Sequence, residues 1–296
     1  MLVDLKNKKE ILVLGGSGYL GTEFSSFIGK DKALQTYYTN KIKGGIFFDL
    51  KKNSVKEILK SYSQIKYIVL GAGIFDFKRI SSNLSQSFFY NVECMKRIIN
   101  EINMIGIKFI FLSSESVFDG KKGNYVETDD TNPTFEYAKQ KDLIEKYILN
   151  NAKNFLIIRL SKVYDLNILG NKLIGNWYRK LKNNDDIWCA NDNVFSPIHL
   201  LDACRSISDL INKDASGIFH LSSLKSYNRK DMLKMLLSRY FLKHYYKGKI
   251  KYKSLNEFQG AENQPLNTSL LPKKLKKTIN FCPRNIEEWI NKLDIK

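Results

Sequence analysis

The sequence has few of the residues that build disulfide frameworks or metal centres, and no segment of the kind that crosses a membrane. Its 296 residues contain only four cysteines, without a CxxC pair: Cys94, Cys189, Cys204 and Cys282. We therefore predict no zinc site, no other metal site and no disulfide framework. No apolar run approaches the roughly 20 residues that span a bilayer, and the first six residues lead straight into a predicted strand, without a signal peptide. These absences favour a cytoplasmic protein that is not bound to a membrane.

Arginine is also scarce, although the chain is strongly basic, with a formal net charge of +18. Only 8 of its 48 basic residues are arginine, whereas recognition of bases and phosphates in nucleic acids favours the arginine fork. The lysines are spread along the chain, and their densest cluster is at 273–277. We interpret the charge as compositional bias and expect no nucleic-acid partner. The positive field still attracts an anionic substrate or cofactor.

Short apolar runs alternate with helical patterns over the first half of the chain. Strands are predicted at 10–14, 34–38, 45–48, 67–70, 109–112 and 155–158, and helices at 19–28, 54–61, 82–104 and 137–150. This alternation predicts an α/β protein with a Rossmann-type, doubly wound parallel sheet. Beyond about residue 165 the elements become mixed, with helices near 168–182, 200–212 and 227–240 and strands near 186–189, 194–196, 217–221 and 249–253.

The change in pattern predicts two domains. We expect a dinucleotide-binding Rossmann domain over residues 1–165, with returning segments near 190–220. Residues 166–296 are expected to form mainly a smaller C-terminal α+β substrate lobe, which closes over the C-terminal edge of the sheet.

The clearest motif is a glycine turn at 15–21 (GGSGYLG) between the first predicted strand and helix. Gly15 permits a tight turn, Gly18 lets the backbone approach a pyrophosphate, and Gly21 lets the helix pack against the strand. The helix N-terminus, with Ser17 before it and Tyr19 and Leu20 in its first turn, offers amide donors to phosphates. The alternative is a turn without a ligand. The position of the turn at the start of a βαβ unit favours dinucleotide binding.

The end of the second predicted strand bears on the choice of cofactor. Residues 39–41 (TNK) lack the carboxylate that holds the ribose 2′-hydroxyl in NAD enzymes. Asn40 and Lys41, with Ser17, would instead contact a 2′-phosphate, unless Lys41 is simply an exposed lysine. The sequence therefore favours NADP(H) over NAD(H).

A second motif, Tyr137 and Lys141, lies four residues apart on one predicted helix and hence on one face. A phenol has a pKa near 10, which must fall by roughly 2–3 units for acid–base work near neutrality. We expect Lys141 and a bound nicotinamide to lower it. Ser114, at the end of the fifth strand, is then expected to hold the substrate oxygen at Tyr137, and Ser113 competes for that role. The alternative is a partly buried tyrosine beside a solvated lysine.

With these motifs the chain resembles the extended short-chain dehydrogenase/reductases, and more narrowly the dTDP-4-dehydrorhamnose reductase group, over nearly its whole length. Besides the glycine turn and the Tyr/Lys pair, the segments that carry the resemblance are 113–120 (SSESVFDG), 125–127 (YVE), 132–133 (NP), 196–199 (SPIH) with Asp202, 217–221 (GIFHL) and 264–270 (QPLNTSL).

The resemblance implies roles for individual residues. Catalysis falls on Ser114, Tyr137 and Lys141, of which Tyr137 and Lys141 also contact the cofactor. The cofactor-binding segments are 49–50 and 71–73, that is Asp49, Leu50, Gly71, Ala72 and Gly73. The substrate-binding candidates are Ser116, Val117, Trp188 and Gln264. Ser116 stands where the group has a tyrosine, and Gln264 where it has an arginine that pairs with the nucleotide pyrophosphate. Trp188 has core packing as its alternative role.

The resemblance implies NADPH-dependent reduction of a nucleotide-activated 4-keto-6-deoxy sugar for surface polysaccharide. One alternative is an epimerase or dehydrogenase of the same superfamily, and another is a non-catalytic, dinucleotide-binding regulatory subunit. The three histidines, His199, His220 and His244, are interpreted as structural or surface residues. The expected partners are a nucleotide-sugar substrate and, in a possible homodimer, a second copy of the chain.

Overall fold

The computed structural model describes residues 9–170, 172–241 and 245–293. Its strands are β1 (Ile11–Leu14), β2 (Ala33–Tyr37), β3 (Ile46–Phe47), β4 (Tyr67–Leu70), β5 (Lys108–Ser114), β6 (Phe155–Leu160), β7 (Val163–Tyr164), β8 (Ile187–Ala190), β9 (Val194–Phe195), β10 (Ile198–His199), β11 (Gly217–Leu221), β12 (Tyr227–Asn228) and β13 (Ile250–Lys253). Its α-helices are α1 (Tyr19–Ile28), α2 (Val55–Ser61), α3 (Phe77–Ser82), α4 (Leu84–Phe88), α5 (Cys94–Ile105), α6 (Glu136–Asn151), α7 (Leu173–Asn183), α8 (Leu200–Asn212), α9 (Arg229–Phe241), α10 (Lys273–Thr278) and α11 (Ile286–Ile290).

Seven strands form one parallel sheet in the order β11-β6-β5-β4-β1-β2-β3. The inner strands are apolar along their length because helices cover both faces of the sheet. All four residues of β1 are buried. The chain leaves β1 in one direction through β2 and β3, and in the other through β4 to β6. The reversal opens a crevice at the carboxyl ends of β1 and β4, where doubly wound sheets bind ligands. The predicted Rossmann-type fold is confirmed.

Three hydrophobic clusters organise the helices. On one face of the sheet, α2, α5 and α6 pack over the strands, and on the other α1 lies against α8. The third cluster lies away from the sheet and joins α7, α9 and α11 to β8. Around it are three two-stranded pairs, β7 with β10, β8 with β13 and β9 with β12. The predicted domain boundaries stay a prediction.

The predicted helix at 82–104 is divided in the structure. Asn83 ends α3 and caps α4 by accepting a hydrogen bond from the Gln86 amide at 2.9 Å. A π-helical turn, Phe89–Glu93, then leads into α5. Asparagine favours such a cap over a helix interior, so the division has a local cause. Among the described residues, no helix combines the length and the apolarity that a bilayer crossing requires.

Candidate active site

The glycine turn forms the floor of a cleft of about 300 Å³ at the carboxyl ends of β1, β2 and β4. Gly15 has a positive φ of +84°, and a Cβ there would lie 2.6 Å from the Gly71 carbonyl oxygen. A Cβ on Gly21 would lie 2.5 Å from the Gly15 carbonyl oxygen, so both glycines are required by the turn itself. Gly18 differs, since its only close neighbour would be that same oxygen at 3.2 Å. The missing side chain of Gly18 therefore serves mainly to keep the cleft open above the start of α1.

Most of the predicted cofactor-binding residues line this cleft. They are Gly15, Ser17, Gly18, Asp49, Leu50, Gly71, Ala72 and Gly73. The prediction missed several others, namely Thr36, Tyr37, Tyr38, Thr39, Phe48, Ile74, Phe75, Arg79, Gln86 and Tyr90. The residues after β2 are adjacent to the predicted 39–41 segment. Arg79 lies on α3, beyond any motif, so the sequence carries no signal for it.

Besides Tyr137 and Lys141, four predicted cofactor residues do not line the cleft. The Tyr19 hydroxyl donates to Asp165 Oδ2 at 2.6 Å, and Leu20 packs into the cluster between α1 and α8. Asn40 and Lys41 are exposed to solvent. Thr39 is the last residue of this segment that lines the cleft. For these residues a contact with the cofactor stays a prediction. Tyr19 and Leu20 retain the first backbone amides of α1, which face phosphate groups at such a helix end.

A second cavity of about 270 Å³ opens at the carboxyl ends of β5 and β6. Ser114, Ser116, Tyr137 and Gln264, four of the predicted catalytic and substrate-binding residues, all line it. The Ser114 hydroxyl lies 2.9 Å from that of Ser116 and accepts a hydrogen bond from the Ser116 amide at 3.2 Å. Hydrogen bonding by Ser114 also lowers the pKa of the Tyr137 hydroxyl. Ser114 and Tyr137 are thus brought to one point on the wall of the cavity.

Ser113 and Ser114, the two candidates for holding the substrate oxygen, have different partners in the structure. Ser113, the preceding residue of β5, is buried, and its hydroxyl donates to Glu145 Oε1. The Glu145 carboxylate is held in turn by Arg159, with an Nη2–Oε2 distance of 2.7 Å. Side chains alternate along a strand, so Ser113 supports α6 while Ser114 faces Tyr137.

Lys141 lies one helical turn beyond Tyr137, and its ammonium donates to the Leu112 carbonyl oxygen at 2.8 Å. It is 5.0 Å from the centre of the Phe75 ring and 4.7 Å from that of Phe111. Burial lowers the pKa of Lys141 to about 8, and the negative charge of Glu145 opposes this effect. A small cavity beside Lys141 is lined by Ala72, Phe75 and Tyr137 among others, so Lys141 lies between the glycine cleft and the Ser114 cavity.

The pKa of Tyr137 depends on its burial and on two neighbouring side chains. Burial raises the pKa of Tyr137 above its ordinary value, the Glu115 carboxylate raises it further, and hydrogen bonding by Ser114 works in the opposite direction. The Lys141 ammonium lies 5.9 Å from the centre of the Tyr137 ring and donates to the Leu112 carbonyl oxygen. The protein's own residues therefore keep Tyr137 protonated, as a proton donor requires.

Two predicted substrate residues lie elsewhere. Val117 is fully buried in a cluster with Phe118, Tyr125 and Leu270. Trp188 lies on β8 with 48% of its surface exposed, near the ammonium groups of lysines 251 and 253. Neither residue lines the Ser114 cavity, and a role for either in substrate binding stays a prediction.

Charged residues that no motif indicated also line the Ser114 cavity. They include Glu115, Lys162 and Arg229. Burial raises the pKa of Glu115 to about 7, and the charge of Lys162 opposes the rise. The Ser114 hydroxyl lies 3.4 Å from Glu115 Oε2. A carboxyl group that changes charge near neutrality therefore adjoins the reactive hydroxyls.

Two of the histidines are structural. The His199 ring stacks on Trp289 at 3.4 Å, and His220 Nδ1 contacts the Tyr125 carbonyl oxygen at 3.2 Å. Burial lowers the pKa of His199 to about 4 and that of His220 to about 3, so both are neutral. His244 lies outside the described residues.

Residues 9–294 match the family model described as the RmlD substrate binding domain. The chain belongs to this family. It is an NAD(P)-dependent oxidoreductase with the short-chain dehydrogenase/reductase fold, as the resemblance implied. The match covers the glycine turn, the Ser114 strand and the Tyr137 helix together.

Individual relatives support this membership. The spore coat polysaccharide biosynthesis protein SpsK of Bacillus subtilis is 25% identical over 72% of this chain and 73% of its own. The dTDP-4-dehydrorhamnose reductase of Sinorhizobium fredii is 26% identical over 70% and 72%. The beta subunit of methionine adenosyltransferase 2 of Bos taurus is 27% identical over 48% and 45%. In fold, a dTDP-4-dehydrorhamnose reductase of Bacillus anthracis in complex with NADP aligns with a TM-score of 0.81, at 19% identity, over 96% and 98% of the two chains.

Proposed function

We propose that the protein reduces a nucleotide-activated 4-keto-6-deoxy sugar with NADPH, in the biosynthesis of a surface polysaccharide. The observation that carries the proposal is the meeting of Ser114, Tyr137 and Lys141 where the glycine cleft adjoins a second, charged cavity. The functions of two relatives, polysaccharide biosynthesis and dTDP-4-dehydrorhamnose reduction, support the same choice.

The glycine cleft fits a dinucleotide. No acidic side chain lies in the first turn of α1, so the partial positive charge of the helix end is available to phosphates. Gly18 leaves the floor open, and a Cβ there would lie 3.2 Å from the Gly15 carbonyl oxygen. Ser17, Thr39 and Arg79 line the cleft and, with no carboxylate placed at 39–41, support NADP(H) over NAD(H).

The residues of the second cavity then perform the proton transfer. Ser114 and Tyr137 hold the substrate carbonyl oxygen by two hydrogen bonds. When bound, the cofactor supplies the hydride to the carbonyl carbon. The Tyr137 hydroxyl donates its proton to the oxygen as negative charge develops there, and its raised pKa keeps that proton in place until then. Lys141 orients the cofactor ribose beside Tyr137 and contributes positive charge.

The test is turnover by purified protein with NADPH and a panel of nucleotide 4-keto-6-deoxy sugars, followed as loss of nicotinamide absorbance. Tyr137→Phe is expected to abolish turnover while NADPH binding persists. Tyr147→Phe is the matched control, since Tyr147 lies on the same helix with its hydroxyl bonded to Asn100. Equal loss of activity in both variants, or full activity in Tyr137→Phe, would contradict the assignment.

Glu115 favours a second candidate, in which reduction is coupled to epimerisation. A carboxyl group with a pKa of about 7 beside Ser114 is able to exchange a proton at a carbon flanking the carbonyl. Reaction in deuterium oxide with NMR of the product distinguishes the two. Deuterium at a flanking carbon, lost in Glu115→Gln, indicates epimerisation, and its absence indicates simple reduction.

The relative that is a subunit of methionine adenosyltransferase corresponds to the remaining alternative, a regulatory subunit. Tight NADPH binding without turnover on any keto sugar would favour that function.

A further inference from the structure

Two cations, Lys162 and Arg229, line the Ser114 cavity together with the reactive hydroxyls. Lys162 lies between β6 and β7, and its carbonyl oxygen accepts a hydrogen bond from the Ile198 amide at 3.0 Å. Arg229 begins α9, and its amide donates to the Asn193 carbonyl oxygen at 3.1 Å. The backbone is therefore fixed at both positions, and both side chains reach the same cavity.

Neither cation is neutralised by a neighbouring carboxylate salt bridge among the described residues. Arg229 Nε is buried and has no hydrogen-bond partner in the part of the chain that the structure describes. No carboxylate is among the groups that perturb Arg229. The negative charge of Glu115 raises the pKa of Lys162, whereas the positive charges of Arg229 and Lys172 lower it. Positive charge is thus in excess on this wall.

An unpaired cation that is partly withdrawn from water is costly, because it loses hydration without gaining a partner. Burial lowers the pKa of Lys162 and of Arg229, which reflects that cost. Lys162 is nevertheless exposed at the surface, since it faces the open cavity. An anion in the cavity would accept hydrogen bonds from both side chains and neutralise their charge.

We propose that Lys162 and Arg229 bind the diphosphate of the nucleotide-sugar substrate, as an anion site of the Ser114 cavity. The assignment rests on the proposed function. A diphosphate carries two adjacent charged groups, which suits two adjacent cations, and its oxygens match the fork of a guanidinium. Gln264, which lines the same cavity, is neutral, and its side-chain amide donates to the Gly260 carbonyl oxygen at 3.2 Å. The positive charge for the diphosphate therefore comes from Lys162 and Arg229.

The experiment is calorimetric titration of the full chain with dTDP, UDP, inorganic pyrophosphate and glucuronate, each in the presence of NADP⁺. Lys162→Met and Arg229→Met are each expected to weaken nucleoside diphosphate binding by about ten- to a hundredfold, the loss typical of one charge-assisted interaction. Lys230→Met is the matched control. Lys230 adjoins Arg229 in sequence, but its ammonium lies 5.0 Å from the centre of the Tyr252 ring and it does not line the cavity.

The outcomes are distinct. Weakened dTDP or UDP binding in both variants, with NADP⁺ binding and Lys230→Met unchanged, supports the site. Nucleoside diphosphate binding equal to that of the parent chain overturns it, and so does binding of glucuronate alone that depends on Lys162, which would assign the cations to a sugar carboxylate. Arg229→Lys replaces Arg229→Met if the latter fails to bind NADP⁺. Because titration requires no hydride transfer, failure of the reductase assay leaves this result interpretable.

Discussion

Replacing Lys141 by methionine is expected to stabilise the protein while removing its activity. The pKa of Lys141 is lowered from its ordinary value of 10.5 to about 8, chiefly by burial. At about 1.36 kcal/mol per pH unit, the difference corresponds to a penalty of about 3.4 kcal/mol for the charged form in the folded protein. Methionine removes that penalty and retains an apolar stem between Phe75 and Phe111. Loss of the Leu112 hydrogen bond and of the ring contacts offsets about 1–2 kcal/mol. We expect a net gain of about 1–2 kcal/mol.

The pH dependence identifies the cause. Below pH 8 the ammonium is charged in both the folded and the unfolded chain, so the full penalty applies. Between pH 8 and 10.5 the folded protein loses the proton first, and stability of the parent rises with pH because the unfolded chain binds more protons. The advantage of Lys141→Met is therefore largest below pH 8 and is lost by about pH 10.5.

The measurement is urea unfolding of both proteins without cofactor at pH 7 and near pH 10.5, with equal slopes required for comparison. Lys146→Met is the control on the same helix, where the lysine is exposed and paired with Asp142. It is expected to change the free energy of unfolding by no more than about 1 kcal/mol. If Lys141→Met were less stable than the parent, and by the same amount at pH 7 as near pH 10.5, burial of the charge would not explain the change in stability.

Three further predictions follow from the two cavities. Glu145→Gln is expected to destabilise the protein by about 3–5 kcal/mol because it leaves Arg159 buried without its partner. It is also expected to move the alkaline limb of the kcat/KM profile to lower pH, because the pKa of Lys141 falls when the charge of Glu145 is removed. An unchanged profile would contradict the second effect. Gly21→Ala is expected to lower the melting temperature more than Gly18→Ala, because the added Cβ would lie 2.5 Å from the Gly15 carbonyl oxygen in the first variant and 3.2 Å in the second. Gly18→Ala is expected to weaken NADPH binding, and equal melting temperatures for the two variants would refute the distinction. Arg79→Met is expected to raise the KM for NADPH at least several-fold more than that for NADH, and an equal rise would exclude a contact with the 2′-phosphate.

The sequence predicts the sheet and the floor of the cofactor cleft because their signals are local. The apolar runs of β1 and β4 and the spacing of Gly15, Gly18 and Gly21 each lie within one short segment. The same holds for Tyr137 and Lys141, whose four-residue spacing places them on one helix face.

The remaining parts of the site depend on contacts between distant segments. Whether Ser113 or Ser114 faces Tyr137 depends on Glu145, which lies more than thirty residues away on α6. Lys162 and Arg229 belong to no motif, and only the tertiary fold brings them into one cavity.

Phe75 has a consequence for how the ligands bind. Phe75 lines the glycine cleft, the Ser114 cavity and the small space beside Lys141. It is therefore a partition between two compartments, the glycine cleft and the Ser114 cavity. A molecule that displaces this partition from one side alters the shape met by a molecule on the other side. Occupancy of the two compartments is then energetically linked, and the linkage is reciprocal: each occupant changes the other's affinity by the same factor.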